Sequence, residues 1–225
     1  MQDDPSRHPH PRRTPGQGLN KEEALRRILE GHWRYLENRR VHREVTPAKL
    51  DEHAQGQYPF AAVLGCADSR VSPEMIFDQD QGDLFVVRVA GNILGHGGVA
   101  SLEYAVQHLS VRIIVILGHE QCGAVRAATE MASAEGPMGY LLSELAEPVE
   151  AARHMPPPLV DQAVKANVQR VTRILPSRSE TISRAVAEGQ VRIVGAVYRL
   201  SSGDLEILDL NETDRPLTRP GQSSG

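Results

Sequence analysis

Aromatic residues are scarce in this chain, 4% of its 225 positions, so a core must be built chiefly from Val, Ile, Leu and Ala within a hydrophobic content of 40%. Cysteine is scarcer still, with Cys66 and Cys122 the only two. Two cysteines make no disulfide framework, and a reducing cytoplasmic setting is expected. No apolar run approaches the ~20 residues of a membrane span, so no membrane partner is expected. The opening stretch MQDDPSRHPHPRRTPGQG lacks the apolar segment of a secretory leader. Charge of one sign is also missing. Twenty-five Lys and Arg against 29 Asp and Glu leave a net −4, which gives no electrostatic case for a nucleic-acid partner. No internal repeat and no second domain are visible.

What is present alternates between two periodicities. Residues 1–18 offer almost nothing to bury and read as a disordered tail; its HPHP could chelate a metal weakly, but a solvated tail is the simpler reading. Asn20 with Glu23 forms a capping-box signature, and Ala24, Leu25, Ile28, Leu29, Trp33 and Leu36 follow at helical spacing. Thr46 and Pro47 open a second short helix. Then come FAAVLGC (60–66), DLFVVRVAG (83–91) and RIIVILG (112–118), short apolar runs that read as buried strands. Helical patterns separate them at 72–78, 98–109 and 123–132. Residues 138–189 read as helical, broken at MPPP (155–158) and Pro176. The stretch 191–210 reads as strand, Ser-Ser-Gly-Asp turn and strand. This predicts an α/β fold, a mostly parallel sheet of four strands with an antiparallel edge strand, flanked by helices and preceded by an N-terminal helical arm. One domain is expected over 19–215, with 216–225 a loose tail.

The two cysteines stand just after apolar runs. Cys66 lies at the carboxyl end of one predicted strand, His119 and Cys122 at that of another, where open α/β sheets place their sites. His-x-x-Cys lets both side chains reach one ion, and Cys66 would be the third ligand. Two thiolates and an imidazole suit zinc, with the fourth position free for chemistry. Read alone, the cysteines are equally two buried small apolar residues, and a further His or Asp68 could close a structural site. Asp68 and Arg70, two and four residues past Cys66, form either an oriented pair beside the metal or a plain ion pair at a turn.

Taken together, CADSRV (66–71), VVRVAGN (86–92) and GHEQCGAV (118–125) resemble the β-class carbonic anhydrases, the plant-type branch most closely. The likeness runs from about Gly56 to about Leu210, with Ala67 where the family usually has serine. It implies one Zn²⁺ per chain on Cys66, His119 and Cys122. It implies reversible hydration of carbon dioxide to bicarbonate by zinc-activated water, which the Asp68–Arg70 dyad orients. It also implies a homodimer or a multiple of dimers, with the N-terminal helix lying across the partner and the site at the subunit interface. Gln57 would donate to the substrate oxygen, and Phe85 and Tyr104, with Val71 nearby, would line an apolar pocket. Each of Gln57, Phe85 and Tyr104 is also readable as loop or core. Arg88 and Tyr198 match two of three residues of an inhibitory bicarbonate site known in a second branch, but its Trp position is Val63 here. His96 is a weak candidate for moving a proton. Alternatives on the same zinc site are hydrolysis of COS or CS2 and a non-catalytic zinc or bicarbonate sensor. GNILGHGG lacks the order of a dinucleotide-binding loop.

Overall fold

The computed structural model describes residues 19–41, 44–131 and 133–208. Both predicted tails therefore lie outside the described residues. Five strands form one sheet in the order β2-β1-β3-β4-β5. They are β1 (Ala61–Cys66), β2 (Leu84–Val89), β3 (Ile113–His119), β4 (Arg192–Tyr198) and β5 (Leu205–Ile207). The first four run parallel and β5 pairs antiparallel with β4, as the sequence predicts. Buried on both faces, β1 and β3 need continuous apolar runs rather than alternation, and AAVLGC and IIVILGH supply them.

The strand period of two sorts these residues onto two cores. Ala62, Leu64, Cys66, Ile114 and Ile116 face one cluster. It is completed by α4 (His96–His108), α5 (Gly123–Glu130), α6 (Gly136–Ala152), α7 (Leu159–Ile174) and α8 (Glu180–Ala187). Ala61, Val63, Ile113, Val115 and Leu117 face the other. That face is covered by α1 (Lys21–Leu36) and the single turn α3 (Pro73–Ile76). Among the described residues no helix is long and apolar enough to cross a membrane.

Helix α1 starts where its capping box places it. The Glu23 amide donates to Asn20 Oδ1 at 2.8 Å, and the Asn20 amide donates to Glu23 Oε2 at 3.0 Å. Its apolar stripe packs on the sheet of its own chain. Gly31 lets the helix touch the 76–79 turn; a Cβ there would sit 1.8 Å from the Phe77 carbonyl oxygen. By contrast α2 (Pro47–Gln55) buries no residue, and Leu50 is 51% exposed. Helix α4 begins at His96, two residues earlier than predicted, so His96 is an exposed first-turn residue rather than part of a loop.

Sheet order fixes where a site can form. From β1 the chain crosses to β2 on one side, then to β3 on the other. The connections diverge between the carboxyl ends of β1 and β3 and open a crevice there. Cys66 ends β1 and His119 ends β3.

Candidate metal centre

Each donor is positioned by the element it terminates. Cys66 is the last residue of β1, and its side chain points to the α4–α8 face. His119 closes β3, pairing with Tyr198 of β4. The chain then turns at Gln121, whose φ of 52° is left-handed, and Cys122 precedes the first residue of α5. Close packing of α7 holds this corner. Gly118 has no room for a side chain, because a Cβ would meet Val168 Cγ2 at 2.6 Å.

The donor atoms of Cys66, His119 and Cys122 all lie within 4.8 Å of one another, and all three residues are buried. The sulfurs are 3.9 Å apart. Two sulfurs at ~2.3 Å from one tetrahedral ion would stand about 3.8 Å apart, so the spacing fits zinc. The histidine fits as well. His119 Nδ1 lies 2.9 Å from the Glu120 carbonyl oxygen, which as an acceptor puts the proton on Nδ1 and leaves the Nε2 lone pair free. Nε2 is buried and has no hydrogen-bond partner among the described residues. An orphaned buried nitrogen facing two thiols is what a metal would satisfy. Both cysteines are free thiols. The contact with Cys122 holds Cys66 below the usual thiol range, helped by His119 and the Gly91 amide. The same contact, then burial, pushes Cys122 up. A metal bound there would take both sulfurs as thiolates, so its binding would release protons.

Asp68 leans over this cluster, with Oδ2 3.8 Å from His119 Nε2. Arg70 grips it as a fork, Nε donating to Oδ1 at 2.9 Å and Nη2 to Oδ2 at 2.8 Å. The Arg70 amide adds a third bond to Oδ1 at 3.0 Å. These bonds, the guanidinium first, hold the Asp68 carboxyl well below the usual carboxylate range.

The other predicted residues stand elsewhere in the single chain. Phe85 pairs in register with Ala62, four residues before Cys66, or about 13 Å along the sheet. Its ring meets that of Tyr104 with centroids 6.1 Å apart, and Tyr104 is 46% exposed. Gln57 is exposed and precedes β1, at the end of the strand opposite Cys66. Within one chain, then, Gln57, Phe85 and Tyr104 are not brought to the cluster. Val71 is buried in the core beneath α1. Arg88 donates to the carbonyl oxygens of Cys66 at 2.9 Å and Asp68 at 2.5 Å, while Tyr198 is hydrogen-bonded to Tyr35.

Three contributors have roles that the motifs do not assign, two of them inside the quoted motifs. Glu120 supplies the carbonyl that orients His119, and its carboxylate accepts from the Ser201 amide and hydroxyl at 2.9 and 2.8 Å. Gly91 donates its amide to Cys66 Sγ at 3.3 Å. Asn167 donates to the Gly91 carbonyl at 2.8 Å. The visible signal for Asn167 is a lone amide in the apolar stripe of α7, among Ala163, Val164, Val168 and Val171.

A family model described as carbonic anhydrase matches residues 61–205, which hold all three donors and the Asp68–Arg70 pair. The chain belongs to the β-class carbonic anhydrases. It is 39% identical over 195 residues to carbonic anhydrase 2 of Mycobacterium tuberculosis, covering 83% of this chain and 92% of that protein. A tetrameric β-carbonic anhydrase of Sordaria macrospora superposes with a TM-score of 0.67 at 28% identity, covering 73% of this chain and 88% of that one. The Coccomyxa β-carbonic anhydrase, solved with acetazolamide, gives 0.61 at 30% identity, covering 70% and 75%. As a carbonic anhydrase, the chain is an enzyme that hydrates carbon dioxide, and its buried Cys-His-Cys cluster is compatible with the metal that such chemistry uses.

Proposed function

We propose that Cys66, His119 and Cys122 hold one zinc ion and that Asp68, fixed by Arg70, orients a water for attack on carbon dioxide. The observation that carries this is the convergence of three buried donors at tetrahedral spacing, with a forked carboxylate 3.8 Å from the orphaned Nε2. Zinc bound there lowers the pKa of a water from about 16 towards 7 and so supplies hydroxide near neutral pH. The value near 7 is that of the three-histidine class of carbonic anhydrase. Two thiolates in place of two imidazoles cancel the formal charge of the ion and leave a weaker acid-promoting centre.

The rest is the work of the chain. Asp68 Oδ2 has a lone pair left after bonding Arg70, and it accepts a hydrogen bond from the water. The remaining lone pair of the water is thereby aimed outward, where the carbon of CO2 must approach. Because Arg70 occupies both oxygens of Asp68, the carboxylate is held as an acceptor rather than released as a fourth ligand. This supports an open, catalytic site over a closed sensor.

An apolar wall for CO2 is supplied by a second copy of the chain in this proposal. Among the described residues, strand β2 is a half-buried edge of the sheet, where a further strand could pair. A partner across it would bring its own Phe85, Tyr104 and Gln57 towards Cys66. The enzyme is therefore a homodimer or a multiple of one, and residues 19–215 act as a single catalytic unit. Free thiols are the state the site needs, which a reducing cytoplasm maintains.

The test is metal content. Purified protein should hold stoichiometric zinc, and Cys66→Ala should lose it while remaining folded. Full zinc occupancy in that variant would remove Cys66 from the ligand set.

A further inference from the structure

We infer that Asn167 is a positioning residue for the metal centre, acting through Gly91 on the sulfur of Cys66. The inference rests on the zinc reading above. Asn167 lies in the middle of α7 at 0% exposure, in a stripe that otherwise packs apolar side chains. A buried amide costs free energy there unless its bonds are made. One is made with purpose. Nδ2 donates to the Gly91 carbonyl at 2.8 Å, across 76 positions of sequence.

Gly91 sits in the short turn after β2 with φ 65° and ψ 17°, a left-handed conformation that places its N–H and C=O on different partners. Its N–H donates to Cys66 Sγ at 3.3 Å, and its C=O is the group Asn167 holds. The turn is also packed tightly, since a Cβ on Gly91 would lie 3.3 Å from both Ala124 Cβ and Leu145 Cδ1. Asn167 thus fixes from behind the peptide that addresses the thiolate from in front.

The consequence is chemical. A hydrogen bond to a thiolate withdraws electron density from the sulfur and fixes the direction of its lone pair. Outer contacts of this kind typically change metal affinity or activity by about 10–100-fold. With two thiolates already weakening the acidity of the centre, one that donates less electron density restores part of it. Asn167 serves the metal without touching it.

The test uses full-length protein loaded with cobalt(II) or with cadmium-113. In the wild-type cadmium form, the Gly91 amide proton should show scalar coupling to the metal through the sulfur; its absence overturns the proposal. In the cobalt form, Asn167→Leu should move the sulfur-to-metal charge-transfer band to lower energy and weaken metal binding by about tenfold or more. Val171→Ala, one turn further along the buried face of α7, loosens the same helix and should leave the band in place. An unshifted band in a folded Asn167→Leu protein, or an equal shift in Val171→Ala, overturns the role of Asn167. Asn167→Ser, too short to reach Gly91, takes the place of the leucine variant if that one does not fold. Wild-type protein with no thiolate charge-transfer band at all would instead refute the zinc reading.

Discussion

At the scale of residues the site rests on very few atoms. In the proposed mechanism Asp68 acts as an acceptor, so Asp68→Asn should keep its zinc and lose activity by roughly a hundredfold or more. Undiminished turnover in a zinc-loaded variant would take Asp68 out of the mechanism. Arg70 matters because its fork depresses the Asp68 carboxyl. Arg70→Leu should let that carboxyl rise towards about 4, so the acid limb of the activity profile moves to higher pH. Stability follows the same sign. A depressed carboxyl stabilises the fold above its unfolded pKa, and the contribution disappears as pH falls. The stability gap between wild type and Arg70→Leu should therefore begin to narrow below about pH 4 and close only as pH falls further. A carbon-13 titration of Asp68 unchanged by the substitution would contradict the coupling. The donors were legible because each lies within four residues of a strand end that composition alone marks. Asn167 was not, since its partner is 76 positions away.

At the scale of elements, strands were easier to read than the pieces between them. Runs such as IIVILG have few ways to be satisfied except inside a parallel sheet. The Gly-rich stretch before α4 reads as loop, yet the helix begins at His96, because Gly95 takes the N-cap position and packing supplies what propensity lacks. Helix α7 meets β3 at Gly118, and this contact sets the height of His119 above the sheet. Gly118→Ala should cost about 1–3 kcal/mol by overpacking. Val168→Ala in the same chain should recover part of that cost, as denaturant unfolding of both singles and the double would show. Strictly additive losses would mean that Gly118 and Val168 do not compete for the same space.

At the scale of the whole molecule, in the proposed dimer a single chain is incomplete as a catalyst. Phe85 stands on β2 about 13 Å along the sheet from the level of Cys66, with Tyr104 of α4 beside it, and the proposed sharing of a site between copies reconciles this with the metal cluster. Such a proposed arrangement is not legible from periodicity, which describes one chain at a time. Sharing predicts complementation. Gln57→Ala and Asp68→Asn chains, each weak alone, should regain about a quarter of wild-type activity when unfolded, mixed equally and refolded. Half of the dimers would then be mixed, each with one intact site of two. No gain on mixing, with mixed dimers verified by mass, would place Gln57 and Asp68 in the same subunit's site or remove Gln57 from it.

The most direct test of the central claim is stopped-flow CO2 hydration by zinc-loaded protein from about pH 6.5 to 9, the range in which a zinc-held water is expected to lose its proton. The account predicts fast hydration that rises with pH and is lost on removal of the metal. Protein with stoichiometric zinc and no hydration above buffer at any pH would contradict it.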